Sequence, residues 1–334
     1  MNNSPQNITF IKDIALDAYG SSYDNTFLIF KSSQNLYHLI YSTLKKSIIS
    51  YNLTNPEKFQ IISEIKNAHK DYIDNFRYSF DSKNKRDLVL SLSSGDNNIK
   101  IWNLKNWECI FDINDIYKFG SILSACFLLD ANFDYNYIVA SNFFMYNINA
   151  VDIYGNNEKN KIIENNISTN LFIDIYYDIK KSKYYIITGN NWNVISYDFK
   201  EGSLYHTYES INSTNHKSVS IYPDNKNNIV KIFFQSREGF ILIFNFHSGE
   251  LIKKIICKNN SLNGICLWDE YYIFTGGKNK ILYLIDINKG KIMKVYSGHK
   301  HWICSLKKIQ IEKFGEVLIT HGLDNKIKLW GIKL

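Results

Sequence analysis

The chain contains very little arginine. Lysine and arginine together number 39, against 32 acidic residues, and give a formal net charge of +7, but arginine occurs only at positions 77, 86 and 237. Arginine is the side chain best suited to bidentate contacts with phosphate and guanine. Its scarcity argues against a dedicated nucleic-acid reader, so we interpret the positive charge mainly as a lysine-rich, solvated surface.

Paired cysteines and long apolar runs are also missing. The five cysteines are widely spaced and form no CxxC pair, which argues against a zinc or disulfide framework. No stretch approaches the roughly 18 uncharged apolar residues of a membrane span. The first seven residues are polar, unlike a signal peptide. We therefore expect an intracellular, soluble protein without a membrane span, located in the cytoplasm or, alternatively, in the nucleus.

A short phrase recurs at a nearly fixed spacing. Its clearest copies, at 96–103 (DNNIKIWN) and 324–331 (DNKIKLWG), read as a turn followed by a strand of alternating polarity. Weaker copies carry another aromatic or aliphatic residue in place of the tryptophan. The seven positions, 41 to 51 residues apart, are Tyr51, Trp102, Val151, Tyr197, Phe244, Ile285 and Trp330. This period predicts an all-β, seven-bladed antiparallel β-propeller, with residues 1–334 forming a single domain.

Unit two shows the strand pattern most clearly. Runs rich in β-branched and aromatic residues alternate with turn residues, as is typical of short strands. The predicted strands are 72–80, 87–93, 99–104 and 108–113. In unit seven the first predicted strand is 302–306.

The end of unit seven leaves too little chain for an outer strand, since only four residues follow Trp330. A spare strand-like run, residues 8–16, precedes unit one, which begins near Thr26. We expect this N-terminal strand to complete the last blade and close the ring, because closure removes two exposed sheet edges.

The Gly298-His299 pair, the two phrases and the period together resemble the WD40-repeat family. Only units two and seven match strongly, and Asn103 and Gly331 stand where the family has its Asp. The resemblance implies closure by an N-terminal strand and a buried hydrogen-bond network in each well-kept unit. The implied network residues are His69, Asp96 and Trp102 in unit two, and His299, Thr320, Asp324 and Trp330 in unit seven. In unit two the hydroxyl is either Ser91 or Ser93.

Few residues form patterns typical of catalytic, metal-binding or phosphate-binding sites. His299, Thr320 and Asp324 carry the groups of a nucleophilic triad, but no Gly-x-Ser-x-Gly elbow exposes a nucleophile, so the network is the favoured interpretation. The run His299-x-His301-x-x-Cys304 has metal-ligand types, yet His301 and Cys304 would face opposite sides of a strand. No phosphate-binding glycine loop is present. We therefore expect no metal, no cofactor and no enzymatic activity.

Binding residues are expected on one face of the propeller. The loops that lead into each inner strand open there, around the channel, and in the WD40 family this is the commonest partner-binding face. The candidate partner-binding residues are Asp71, Tyr72, His216, Lys217, His301 and Trp302, with Trp107 on the opposite rim. Exposed aromatics at such positions would suit interface hot spots. The alternative is that Tyr72 and Trp302 only pack against neighbouring blades, and Trp192 and Trp268 are expected to be partly buried.

These observations predict a protein–protein interaction scaffold or adaptor that acts as a monomeric propeller within a complex. The alternative is a nucleic-acid-associated subunit, for example in ribosome or RNA processing, which rests on the lysine excess. An enzyme is a distant third.

Overall fold

The computed structural model describes residues 5–15, 27–55, 60–114, 116, 121–142, 147–155, 160–164, 172–189, 193–209, 219–236, 238–257, 262–312 and 314–332. Within these ranges the chain consists of strands and turns, apart from one turn of 3₁₀ helix at Pro5–Asn7. None of the described residues forms a helix long and apolar enough to cross a membrane.

The described strands form seven four-stranded antiparallel sheets. Strand β1 is Ile8–Ala15. Blade 1 contains β2 (Phe27–Lys31), β3 (Tyr37–Ser42), β4 (Ile48–Asn52) and β5 (Gln60–Ile65). Blade 2 contains β6 (Asn75–Asp81), β7 (Arg86–Ser93), β8 (Asn98–Asn103) and β9 (Glu108–Asn114). Blade 3 contains β10 (Ile122–Asp130), β11 (Tyr135–Asn142), β12 (Asn147–Asp152) and β13 (Lys161–Glu164).

The remaining blades follow the same order. Blade 4 contains β14 (Phe172–Asp178), β15 (Lys183–Gly189), β16 (Asn193–Asp198) and β17 (Leu204–Glu209). Blade 5 contains β18 (Val219–Asp224), β19 (Ile229–Gln235), β20 (Phe240–Asn245) and β21 (Leu251–Ile256). Blade 6 contains β22 (Leu262–Leu267), β23 (Tyr272–Gly277), β24 (Ile281–Asp286) and β25 (Lys291–Ser297). Blade 7 contains β26 (Ile303–Ile311), β27 (Gly315–Gly322) and β28 (Lys326–Ile332).

This architecture confirms the predicted seven-bladed β-propeller. We call the strands of a blade a, b, c and d in chain order; the a strands of neighbouring blades contact each other around the centre of the ring. All seven repeat positions lie in strand c of their blade.

Strand β1 closes the ring as predicted. It pairs antiparallel with β28, from Ile8 opposite Ile332 to Ala15 opposite Lys326, and thus serves as strand d of blade 7. Ile8 is only 2% exposed and joins the core shared by blades 6 and 7. Closure therefore buries apolar surface as well as pairing the outer edge of β28.

A β-bulge recurs at the repeat position. In blade 2, Ile101 lies opposite Phe111 but Trp102 lies opposite Cys109, so strand d holds one extra residue, Ile110. The same extra residue occurs in strand d of blades 1, 4, 5 and 6. In blade 7 the extra residue is Ile11 of β1. The N-terminal strand thus reproduces a local irregularity of the other outer strands, which supports its role as a true strand d.

The core lies between the blades. Among the described residues, seven apolar clusters each join two successive blades, including blade 7 to blade 1. At the last of these junctions Phe27 and Leu39 of blade 1 pack with Ile319 and Leu329 of blade 7. Because every blade is covered on both faces by a neighbour, the sheets are fixed as a ring and their loops are held at its two ends.

Candidate functional site

The loops between strands d and a and between strands b and c lie at the same end of each antiparallel blade. We call this end of the ring the upper face, and the end with the a–b and c–d turns the lower face. The fully described loops of the upper face come from the successive blades 6, 7, 1 and 2; they are 278–280, 298–302, 323–325, 43–47, 66–74 and 94–97. The candidates His216 and Lys217, and also Trp192, lie outside the described residues.

In blade 7 four predicted side chains meet beneath the upper face. His299 Nδ1 lies 2.8 Å from Asp324 Oδ1, and His299 Nε2 lies 2.9 Å from Thr320 Oγ1. The Trp330 indole N–H donates to the same Thr320 hydroxyl at 3.0 Å. All four residues belong to one blade, so the network connects the loop entering strand a with strands b and c.

Blade 2 has the same arrangement. His69 Nε2 lies 2.8 Å from Ser91 Oγ, which also accepts the indole N–H of Trp102 at 2.8 Å. The hydroxyl left open by the sequence is therefore that of Ser91. His69 Nδ1 lies 3.3 Å from Asp96 Oδ2, a longer contact than its counterpart in blade 7.

The donors and acceptors are consistent with a neutral histidine. The indole N–H donates to the hydroxyl, so the hydroxyl proton goes to Nε2 of the histidine, and Nδ1–H faces the carboxylate. Burial lowers the pKa of His299, partly offset by Asp324. Burial alone would raise the pKa of the Asp324 carboxyl, but hydrogen bonds from His299 and from the Lys300 N–H bring it below its ordinary value. Because Thr320 is fully buried, its hydroxyl cannot act as an exposed nucleophile.

The networks hold two equivalent surface loops. The backbone N–H of Lys70 donates to Asp96 Oδ2 at 2.8 Å, and that of Lys300 donates to Asp324 Oδ2 at 2.7 Å. Both loops read His-Lys-x-aromatic-Ile, at 69–73 and 299–303. Each network thus fixes a short loop that places a lysine and an aromatic residue at the upper face.

The predicted starts of strand a were too early in both blades. The strand was expected to begin at Tyr72 and at Trp302, but β6 begins at Asn75 and β26 at Ile303. The reason is local: the Tyr72 N–H donates to Asp71 Oδ1 at 2.8 Å, and the Trp302 N–H donates to His301 Nδ1 at 2.9 Å. These side-chain bonds replace the sheet pairing, so both aromatics belong to loops.

A lysine from the preceding blade lies over the ring of each of these two aromatics. Lys46 Nζ lies 6.0 Å from the centre of the Tyr72 ring, and Lys278 Nζ lies 4.7 Å from that of Trp302. Tyr72 is 37% exposed, whereas Trp302 is half-buried. A cation above an aromatic face is an attractive contact. No local sequence pattern identifies these two lysines, because each contact joins different blades. The repeated His-Lys-x-aromatic-Ile pattern is the signal that marks the two aromatic loops.

The residues beside the aromatics differ between the two loops. The Asp71 carboxylate approaches Gly95 so closely that a Cβ there would lie 2.2 Å from Asp71 Oδ2, which explains the glycine. His301 is exposed, whereas Cys304 is buried with its thiol directed to the Trp302 carbonyl oxygen, so these two potential ligands do not converge.

Trp107 lies at the lower face, apart from the upper loops. It occupies the c–d turn of blade 2 with a φ of 55°, and its N–H donates to the Asn103 carbonyl at 2.7 Å. Its ring is half-buried against the core between blades 1 and 2, so part of it remains accessible. Trp268, expected to be partly buried, is only 1% exposed.

The fold and the upper loops together define a seven-bladed β-propeller that presents two equivalent aromatic loops on one face. No protein-family model matches the chain, and no curated protein matches it.

Proposed function

We propose that this protein is a non-enzymatic interaction scaffold of the WD40 type that binds other proteins through its upper face. The observation that carries the proposal is the pair of equivalent loops at 69–73 and 299–303. Each is held from below by a buried histidine–hydroxyl–tryptophan network, and each ends in an accessible aromatic residue.

The physical support is preorganisation. Loops whose backbone amides are already hydrogen-bonded lose little conformational entropy when a partner binds. Aromatic side chains on such loops supply large contact areas with few rotatable bonds, and they dominate interface hot spots. Tyr72 and Trp302 are therefore the expected anchors, and the networks are positioning elements rather than contact residues.

The test is affinity purification from the native cell with the wild-type chain and a Tyr72→Ala/Trp302→Ala variant. Truncating one hot-spot aromatic costs about 2 kcal/mol or more, so partner recovery should fall at least tenfold in the double variant. The matched control is Phe80→Ala/Tyr271→Ala, which removes two exposed aromatics (41% and 42%) near the lower face. All variants must first show the wild-type unfolding temperature.

Partners lost with the upper-face variant and retained with the control would support the proposal. Equal recovery with both variants would contradict the upper-face assignment. In that case loss of the same partners in a Trp107→Ala variant would transfer the binding surface to the lower rim.

A further inference from the structure

The upper face carries lysines without acidic partners. Seven lysines lie on its described loops in blades 6, 7, 1 and 2, namely Lys45, Lys46, Lys66, Lys70, Lys278, Lys280 and Lys300. None of them forms an ion pair with a carboxylate of the described residues. The loops adjoin one another in two groups, 278–280 with 298–302 and 323–325, and 43–47 with 66–74 and 94–97. Lys46 instead donates to the Lys70 carbonyl oxygen and lies over Tyr72, and Lys278 lies over Trp302.

The lower face is different, because many of its cations are neutralised within the chain. Lys231 Nζ lies 2.6 Å from Asp224, Lys183 lies 2.7 Å from Asp198, and Lys226 lies 2.7 Å from Glu270. Further lower-face pairs are Lys31–Glu312, Arg86–Asp81, Lys289–Asp286 and Lys308–Glu316. Seven ion pairs thus lie at the lower end, although exposed lysines such as Lys105 and Lys200 have no carboxylate partner among the described residues there. Near the upper end Lys326 pairs with Asp13, at the start of β28, but none of the seven lysines of the described upper loops is paired.

The four carboxylates of the six described upper loops are already hydrogen-bonded to those loops. Asp96 and Asp324 accept from histidines and from backbone N–H groups of the two loops. Asp74 accepts from the backbone N–H and the hydroxyl of Ser94, and Asp71 accepts from the Tyr72 N–H. These acidic groups are used to shape the loops, so they leave the exposed ammonium groups uncompensated.

We propose that the upper face binds an acidic segment of a partner polypeptide, whose Asp or Glu carboxylates meet the lysines while an apolar side chain rests against Tyr72 or Trp302. This inference depends on the proposed scaffold function and specifies its partner. The complementarity is between an array of unpaired cations and a chain of carboxylates, an arrangement that favours encounter and correct orientation.

A polypeptide fits this surface better than a nucleic acid. Dedicated nucleic-acid readers use arginine for bidentate contacts with phosphate and guanine. The described arginines are elsewhere: Arg77 reaches across to the Ile173 carbonyl oxygen at 3.0 Å, and Arg86 pairs with Asp81 at the lower face. Lysine is a compact point charge that serves single carboxylates well and lacks the planar fork used for bidentate phosphate contacts.

The test measures fluorescence anisotropy of a labelled Glu-rich peptide that contains one Trp, with the purified full chain. The upper-face variant is Lys70→Glu/Lys300→Glu, whose side chains are exposed in the two equivalent loops. The matched control is Lys105→Glu/Lys200→Glu, with the same change in net charge on exposed c–d turns of the lower face. Affinity should fall about tenfold or more in the upper variant and less than about twofold in the control, because only local pairs are lost.

Several results would overturn the inference. Equal losses of peptide affinity in the two charge variants would mean that binding depends only on the net charge of the protein. Tighter binding of a single-stranded oligonucleotide of equal charge, with the same loss in the upper variant, would assign the surface to nucleic acid instead. Absence of peptide binding would reject the acidic partner, while the scaffold function would stand if native partners were still lost with Tyr72→Ala/Trp302→Ala.

Discussion

At the scale of single residues, one hydroxyl-bearing position in strand b forms different hydrogen bonds in different blades. Ser91 and Thr320, opposite Lys100 and Lys328 of strand c, accept from tryptophan and face a histidine. Where the chain lacks that histidine, the hydroxyl is satisfied by strand a instead. Thr188 donates to the Phe172 carbonyl at 2.7 Å, and Thr275 donates to that of Gly264 at 2.8 Å. The position is thus a structural hydrogen-bonding site in blades 2, 4, 6 and 7, whereas Tyr41, Ala140 and Phe234 occupy it in blades 1, 3 and 5. Blades 2 and 7 extend it to fix a surface loop.

A Ser91→Ala substitution should therefore have two effects: a lower free energy of unfolding and a more mobile 69–73 loop. It leaves the buried Trp102 N–H and His69 Nε2 without their shared partner, at a cost of about 1–3 kcal/mol. The measurement is urea unfolding, combined with hydrogen exchange of the Lys70 and Tyr72 amides.

The control is Thr188→Ala, the equivalent buried hydroxyl position in blade 4, which donates to the Phe172 carbonyl at 2.7 Å. Its loss should destabilise the protein, but exchange of the Lys70 amide should remain close to wild type because the described residues of blade 4 have no contact with the 69–73 loop network. Equal exchange in the two variants would show that the network does not hold the loop.

At the scale of strands, the sequence predicted the inner part of each blade better than its edges. All seven repeat positions lie in strand c, because alternating polarity and a following turn are local signals. The bulge opposite those positions was not predictable, since an extra residue such as Ile110 or Ile11 appears only in the pairing register. The Tyr72 and Trp302 loops were likewise predicted as strand, because their amides bond to adjacent side chains that the strand pattern does not reveal.

For the candidate site, the sequence predicted the buried network but not the contacts between blades. The network residues follow from a pattern with fixed spacing, and the structure places them within hydrogen-bonding distance in blades 2 and 7. The lysines over the aromatic rings come from another blade, so no local pattern contains them. Contacts across blades depend on the curvature of the ring, which short-range sequence signals do not specify.

Strand β1 should be essential for the ring to remain closed. An Ile8→Asp substitution would place an unpaired charge at a position 2% exposed, in the core between blades 6 and 7, and should cost about 3 kcal/mol or more. Removal of residues 1–15 would leave the edge of β28 unpaired and should cause aggregation. Thermal unfolding and sizing by gel filtration measure both effects.

The matched control for strand β1 is Thr9→Asp, since Thr9 is exposed on the same strand. It should change the unfolding temperature by no more than a few degrees. A truncated chain that stayed monomeric with the wild-type unfolding temperature would mean that β1 contributes nothing to closure.

At the scale of the whole molecule, two buried histidines lie on either side of blade 1: His321 at its junction with blade 7, and His38 at its junction with blade 2, stacked on Phe30. His38 lies in blade 1 and His321 in blade 7, and the His321 ring is 6.0 Å from that of Phe27 across the junction. Burial lowers the pKa of His38 to about 4, partly opposed by the Asp87 charge. Burial also lowers the pKa of His321 to about 4, with His299 adding to the effect and Asp324 opposing it. Both imidazoles are therefore neutral in the folded protein at neutral pH.

The sign of the pH dependence follows from these values. In the unfolded chain the histidines take up protons near their ordinary pKa of 6.5, whereas the folded protein resists protonation down to about 4. Unfolding is thus favoured increasingly as pH falls from 6.5 to 4, by roughly 3 kcal/mol per histidine at the lower end. The pKa values of the Asp96 and Asp324 carboxyls are lowered, so their contributions are lost only at still lower pH.

A His38→Gln/His321→Gln variant should therefore lose much of this acid sensitivity, and the part that remains should come from His299 and His247, whose pKa values burial also lowers. At pH 7.5 it should be less stable than wild type, because buried packing is altered, but its free energy of unfolding should change far less between about pH 6.5 and pH 4.5. Urea unfolding at several pH values measures this, and His301→Gln, at an exposed histidine, should keep the wild-type dependence. Since His38 and His321 lie in blades 1 and 7, acid should increase hydrogen exchange first in those blades. If the double variant kept the wild-type pH dependence, or if exchange rose first in blades 3 to 5, the two interfaces of blade 1 would not be the acid-sensitive part of the ring.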